Sequence, residues 1–268
     1  MLNAAAPLAN EPLVRVQHAA PGVFRLTLNR PKAYNSLSTD LMTALEAELG
    51  RLADLPEARA IVLAGAGPGF CAGHDLREVR SLADDAAKRA LMAQCCRLMQ
   101  GIVEHPKPII AQVHGTASAA GCQLVASCDL ALASDEARFA TPGVNIGLFC
   151  HTPMVALGRN VARKHAMEML LTGELMDAPT AVRFGLINRA VPASELDGAT
   201  LTLARQIASK SSHTLKLGKQ AFYKQLDLDL GEAYALASEA MLENLLAADA
   251  AEGMGAFLEK RSPRWLDR

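Results

Sequence analysis

Aromatic residues are scarce in this 268-residue chain, at 4%, although half of its residues are apolar. An interior must therefore be built mainly from Ala, Leu, Val, Ile and Met, which suits close helix packing. Charge of one sign is not in excess either: 27 Lys and Arg face 28 Asp and Glu, for a net charge of −1. No global field then recruits nucleic acid or an anionic membrane, and any anion binding has to be local. Six cysteines are present (Cys71, Cys95, Cys96, Cys122, Cys128, Cys150), but without a CxxC pair or a matching histidine pair. They read as reduced, mostly buried thiols, and no metal or redox cofactor is expected.

The opening stretch MLNAAAPLANEPLVRV has no basic region leading into an apolar one. It is not the Arg-rich, acid-poor stretch of a transit peptide either, so a cytoplasmic location is the expectation. Two uncharged stretches reach membrane-spanning length, 21 residues between Lys107 and Asp129 and 20 between Arg138 and Arg159. Gln112, His114, Gly115, Ser118, Gly121 and Gln123 interrupt the first, and Pro142, Gly143, Asn145, Gly147 and Pro153 the second. Buried turns and short elements are expected there, not membrane helices.

Val23 to Asn29 alternates, with Phe24, Leu26 and Leu28 on one face and Arg25 and Thr27 on the other, the pattern of a half-buried strand. From Ser38, a candidate N-cap, Leu41, Leu45, Leu49 and Leu52 recur at helical spacing. The short apolar runs Ala60–Ala64 and Pro108–Val113 read as fully buried strands. Each is followed by a turn rich in small residues and then a helix-like segment, so the repeated unit favours α/β layering. Beyond about residue 160 the texture is helical: Arg163 to Leu171 stopped at Gly173, Asp177 to Phe184 stopped at Gly185, then long helices from Ser194. The last, Asp249 to Lys260, reads as capped by its aspartate and stopped by Pro263.

Gly65-Ala66-Gly67-Pro68-Gly69 follows a buried strand but is not a dinucleotide loop, because Phe70 stands where GxGxxG needs its third glycine. A tight turn is expected. Two further segments, Phe70 to Leu76 and His114 to Leu124, each follow a buried strand and lead toward a helix, where free backbone N–H groups are expected. Two such groups converging on one oxygen would polarise a carbonyl; close backbone packing is the other reading.

The runs NRPKAYNSLS, GFCAGHDLREV, KPIIAQVHGTASAAGCQLVASCDLALASDEARFATPGVNIGL, AMEMLLTGELMDAPTAVRFGLINRAVP and GMGAFLEKRSP settle the choice. In order and spacing they resemble the enoyl-CoA hydratase/isomerase (crotonase) family, over about residues 13–263. The resemblance implies one α/β domain: a spiral of ββα turns over about 13–195, then a helical trimerisation region over about 196–263. It also implies a homotrimer or a hexamer built as a dimer of trimers, with an acyl-CoA thioester as substrate or ligand. By matching position, the thioester oxygen would be held by the backbone N–H groups of His74 and Ala120. Coenzyme A would be met by Lys32, Ala33, Tyr34, Ala72 and the His74-Asp75-Leu76-Arg77 segment, and by Phe257 and Lys260 reaching a neighbouring subunit.

The family's hydratases place one glutamate in a GGGCEL-like helix start and another in a PEINLG-like loop. Gln123 and Gly143 stand at those positions here. Glutamine exchanges no proton near neutral pH and glycine has no side chain; each lost acid/base group is worth about 10²–10⁴ in rate. The wording ASAAGCQL and ATPGVN is similar to that of the enoyl-CoA-hydratase-domain proteins that lack both glutamates. His151, eight residues past Gly143, reads as a packing or capping histidine, with a catalytic base as the alternative. Asp129 reads as a tie at a strand entrance, with proton transfer as the alternative. Three functions follow: an acyl-CoA enzyme with an unidentified reaction, a non-catalytic acyl-CoA-binding protein, or a conventional hydratase of fatty-acid metabolism.

Overall fold

The structure, a computed structural model, describes residues 11–268. The first ten residues, part of the stretch read above for targeting signals, lie outside the described residues. Strands β1 (Val14–Ala20) and β2 (Val23–Leu28) pair as an antiparallel hairpin. Ser38 caps α1 (Thr39–Asp54): its Oγ accepts the Leu41 N–H at 3.2 Å, and Leu41, Leu45, Leu49 and Leu52 form the buried stripe that the spacing predicts. After β3 (Ala60–Gly65) come α2 (Leu76–Ser81), α3 (Asp85–Glu104) and β4 (Ile109–Val113). Then follow β5 (Thr116–Ser118), α4 (Ala120–Ser127), β6 (Leu130–Ser134) and β7 (Arg138–Ala140).

The two uncharged stretches, 108–128 and 139–158, are thus broken into short elements, with α5 (His151–Asn160) the last. No described helix is long and apolar enough to cross a membrane. The chain continues through α6 (Arg163–Thr172), β8 (Met176–Asp177), α7 (Ala178–Phe184) and β9 (Arg189–Val191). Gly173 and Gly185 end α6 and α7 in left-handed conformation, as the sequence suggests. Helices α8 (Leu196–Ala208), α9 (Ser212–Gln225), α10 (Leu230–Leu246) and α11 (Ala248–Leu258) complete the described chain.

Six strands form the main sheet in the order β1-β2-β3-β4-β6-β9, parallel from β2 onward, and β5-β7-β8 form a small second sheet. Both faces of the main sheet are covered, which is why β3 and β4 read as unbroken apolar runs. Ile61 and Leu63 with Ile109, Ala111 and Val113 face the large core shared with α1, α3 and α4. Ala60, Val62 and Ile110 face a smaller cluster closed by Leu196, Ala204 and Ala208 of α8. Helix α8 therefore lies on the sheet.

One cap differs from its sequence reading. Helix α11 starts at Ala248 with Ala247 as its cap residue, and Asp249 lies inside the first turn. Its carboxylate, 1% exposed, instead accepts the N–H groups of Leu266 and Asp267 at 2.6 and 2.9 Å. The residue is turned to hold the C-terminal tail, and Asp267 in turn pairs with Arg59 at 2.7 Å. Asp129 is the strand tie expected: it accepts Ile109 N–H at 2.7 Å, Lys219 Nζ at 2.8 Å and the Tyr223 hydroxyl at 3.1 Å. It thereby joins β4, the start of β6 and α9.

Candidate active site

The Gly65–Gly69 segment is a turn, and no helix opens behind it; residue 70 runs on instead as extended chain beside β5. Cys71 N–H bonds to Thr116 O at 3.2 Å, and Ser118 N–H returns to Cys71 O at 2.9 Å. At Gly73 (φ +91) the chain switches partner: Gly73 O accepts from Leu37 N–H at 2.7 Å and Asp75 N–H donates to Leu37 O at 3.0 Å. In extended chain the peptide groups alternate in direction. The His74 N–H, between those two bonds, consequently faces away from Leu37.

What lies beside this strand is the start of α4. A Cβ on Gly73 would stand 3.2 Å from Ala120 N and 2.9 Å from Ala119 Cβ, so only glycine lets the two backbones approach. Gly121 has the same duty, since a Cβ there would meet Cys71 O at 2.1 Å. Ala120 is the first residue of α4, and the first N–H of a helix has no intrahelical acceptor. Thr116 O, four residues back, is already taken by Phe70 and Cys71. Ala119 takes φ 49, ψ −116, a conformation that favours glycine, and its N–H is held by Ala140 O at 2.9 Å. Strain of order 1–3 kcal/mol at such a residue persists only where its surroundings over-determine it. The segments that carry the His74 and Ala120 N–H groups thus meet at Gly73, and neither N–H has a backbone acceptor in the chain.

The neighbouring polar side chains are short of partners too. Gln123 is 3% exposed and Thr141 is fully buried, yet Gln123 Oε1 and Thr141 Oγ1 have no hydrogen bond. Both nitrogens of the His74 ring are likewise buried and unpaired. Each bond left unmade costs about 1–3 kcal/mol unless water supplies it, and Gln112 Oε1 and His213 Nε2 are unpaired elsewhere in the chain as well. Burial holds the His74 imidazole below its ordinary pKa against the opposing pull of the Glu78 charge, and so favours the neutral ring.

At Gly143 the missing side chain has no room. The residue is buried in a short 3-10 turn (Pro142–Ile146), and a Cβ would meet Leu148 O at 2.9 Å and Cys150 Sγ at 3.1 Å. The chain itself fills the space a glutamate would need. His151 is the exposed first residue of α5, with its Nδ1 3.0 Å from Phe149 O and its ring 5.2 Å from that of Phe149. That is local packing against Phe149, which precedes the helix.

Lys32 and Ala33 sit in a 3-10 turn closed by Tyr34 in left-handed conformation, and Tyr34 is 56% exposed. Ala72 N–H donates to Tyr34 O at 3.0 Å, which sets Ala72 beside that turn, with Leu76 and Arg77 exposed nearby on α2. Asp75 is engaged internally: it caps α2 and pairs with Arg30 at 2.9 Å, and the bond to Arg30 holds its carboxyl below the usual range. Sequence reasoning missed Asn35. Fully buried, it donates to Ala66 O, Gly69 O and Phe70 O at 2.8 to 3.1 Å and accepts Arg30 N–H at 2.9 Å, stitching the 30–36 turn to the glycine turn. An asparagine a few residues after the Arg30-Pro31 turn signal, where it takes φ 54, is the signal it offered. Phe257 and Lys260 stand apart, exposed at the C-terminal end of α11, with no hydrogen bond to the turn at Lys32.

A largely parallel six-stranded sheet with a small second sheet and a helical C-terminal region define a crotonase-type α/β protein. The chain belongs to the enoyl-CoA hydratase/isomerase family, whose model matches residues 18–268. It is 46% identical over 256 residues to the human "Enoyl-CoA hydratase domain-containing protein 3, mitochondrial", covering 96% of this chain and 84% of that one. A solved structure of that human protein superposes with a TM-score of 0.91, at 46% identity, over 94% of this chain and all of the other. A Mycobacterium smegmatis structure described as an enoyl-CoA hydratase gives 0.93 at 48% identity, over 95% of this chain and 99% of that one. The expectation of a cytoplasmic location is corrected here. The human, mouse and rat relatives, at 45–46% identity, are all named mitochondrial, and composition around a chain's start carries too little information to override that.

Proposed function

We propose that this protein binds an acyl-CoA thioester and polarises its carbonyl between the backbone N–H groups of His74 and Ala120, without two-glutamate hydration. The observation that carries this is the pair of partnerless donors on two segments held together at Gly73. Donors fixed in advance stabilise an enolate oxygen without reorganising, and loss of one typically costs about 10²–10³ in rate. The donors belong to the backbone, so alanine at 120 leaves them in place, and this polarisation calls for no metal or redox cofactor.

Coenzyme A would lie along Lys32, Ala33, Tyr34 and Ala72, with Leu76 and Arg77 at its edge and Asp75 fixing the segment through Arg30. Phe257 and Lys260 would meet the nucleotide of a neighbouring copy in a homotrimer or a dimer of trimers. The exposed apolar residues of α9 and α10, among them Phe222, Leu230, Tyr234 and Leu246, support such an assembly. Gln123 and the filled space at Gly143 favour a binding protein or a different reaction over conventional hydration.

Calorimetric titration with acetyl-, butyryl- and palmitoyl-CoA tests the reading. At least one ester is expected to bind with a Kd below about 100 µM, a free energy near −5.5 kcal/mol. No binding by any of the three at millimolar concentration overturns it. Product analysis over the same esters separates an enzyme from a binding protein, which predicts affinity without turnover.

A further inference from the structure

We infer that the C-terminal tail, residues 261–268, is a clasp that sets the position of α11, with Asp249, Arg59 and Asp267 as positioning residues for the nucleotide end of coenzyme A. The inference rests on the acyl-CoA reading above, in which Phe257 and Lys260 meet that nucleotide. Helix α11 leaves α10 at a break at Ala247 (φ −70, ψ 147), and its far end carries Phe257, 82% exposed. The chain then turns at Lys260 (φ 56) and runs back along the helix it has just left. Arg261 Nη1 and the Arg264 N–H donate to Glu252 at 2.6 and 2.7 Å. One turn earlier, the buried Asp249 carboxylate holds the N–H groups of Leu266 and Asp267, while its own N–H donates to Arg268 O at 3.1 Å. Gly253 makes room for the tail: a Cβ there would stand 3.2 Å from the Trp265 ring.

The tail is also what ties α11 to the rest of the chain. Among the described residues, the hydrogen bonds that join 248–268 to the elements ahead of α10 all involve the tail: Trp265 Nε1 donates to Ser209 O at 2.8 Å, and the Asp267 carboxylate accepts the Ser212 N–H at 2.8 Å and Arg59 at 2.7 and 3.1 Å. Arg59 is held ready for this by the core, since its Nε and Nη2 donate to Ala208 O and Lys210 O, each at 2.7 Å. A two-point guanidinium–carboxylate pair fixes direction as well as distance. At the other side of the clasp, a buried carboxylate is tolerated only with its hydrogen bonds made, so Asp249 and the tail hold each other in place. The 11-residue α11 is about 16 Å long. A tilt of about 10° at Ala247 would therefore carry Lys260 roughly 3 Å, enough to break a hydrogen bond to a phosphate.

The test compares butyryl-CoA with S-butyryl-pantetheine, which lacks the nucleotide, by calorimetry on the full chain. The variants are Asp267→Ala, Lys260→Gln, the two combined, and Asp249→Asn, which attacks the clasp from α11. Asp267 is the residue before the last and lies outside every helix and strand, so its loss leaves the fold intact. The wild type should bind butyryl-CoA at least about tenfold tighter than the pantetheine ester. Asp267→Ala and Asp249→Asn should each weaken butyryl-CoA about fivefold or more and the pantetheine ester less than about twofold. Lys260→Gln should show the same selective loss, and adding Asp267→Ala to it should cost less than about twofold more, because both act on one contact. Equal losses for the two esters would make the tail a general support of the fold and overturn the inference. Unchanged affinity for both, or losses that multiply in the combined variant, overturn it as well. A wild type that binds both esters equally well removes the nucleotide contact, and this inference with it, while leaving the acyl-CoA reading intact. Binding of neither ester defeats that reading too.

Discussion

Crotonyl-CoA offered to the wild-type protein is expected to be hydrated at least about 10⁴-fold more slowly than by a two-glutamate hydratase, since each missing acid/base group is worth about 10²–10⁴. Gln123→Glu alone should recover no more than about 10² of that, because one carboxylate cannot both activate water and protonate carbon. Adding Gly143→Glu should fail for a different reason. Its Cβ would fall 2.9 Å from Leu148 O and 3.1 Å from Cys150 Sγ, so the substitution must displace backbone between Leu148 and Cys150. Overpacking of this kind costs about 1–3 kcal/mol before any charge is buried, and a desolvated carboxylate adds to it. The loss of enoyl absorbance with time reads the rate directly. A wild-type rate within tenfold of an ordinary hydratase would contradict the account, and a fully restored rate in the double variant would contradict the packing argument.

Asp129→Ala should be the most damaging single change away from the site. The Asp129–Lys219 pair is 2.8 Å long with side chains only 15% and 7% exposed, and it shares the carboxylate with Tyr223 and the Ile109 N–H. Burial pushes the Lys219 pKa down and Asp129 pulls it back up. Removing the aspartate leaves a hydroxyl and a backbone N–H unpaired and a buried ammonium without its counter-charge, held only by the Ile102 and Lys107 carbonyls. Breaking a buried pair costs about 3–5 kcal/mol, which for a chain of this size lowers the melting midpoint by roughly 6–20 °C. The exposed Arg51–Glu48 pair, with side chains 48% and 29% exposed, provides the contrast. Glu48→Ala should shift stability by less than about 1 kcal/mol. A loss below about 1 kcal/mol for Asp129→Ala would show that α9 is held to the sheet by other contacts.

Strong periodicity and local chemistry made most of the fold legible. The leucine stripe of α1 with its Ser38 cap, the apolar runs of β3 and β4 and the glycine stops after α6 and α7 all stand where the sequence places them. Strand β1 carried no such signal: only Val14 and Ala20 at its ends are buried, so the alternation that marks a half-buried strand is missing. Asp249 misled for the opposite reason. It resembles a cap in sequence, but its partners, Leu266 and Asp267, lie 17 and 18 residues away.

The candidate site divides in the same way. The positions of His74, Ala120, Gln123 and Gly143 were readable from ordered motifs. The need for glycine at 73 and 121, the strain at Ala119 and the filled space at Gly143 depend on contacts between segments more than forty residues apart or on a loop folding back. The orphaned atoms of Gln123 and Thr141 are invisible in a sequence, which shows polar residues but not whether they are satisfied.

Infrared difference spectroscopy of bound butyryl-CoA, isotopically labelled at the thioester carbonyl, tests the central claim most directly. Two converging N–H donors should move the C=O stretch to lower frequency relative to the free ester. His74→Ala, which keeps the backbone donor, should preserve that shift. A bound ester whose carbonyl stretch is unmoved would contradict the proposed polarisation by His74 and Ala120.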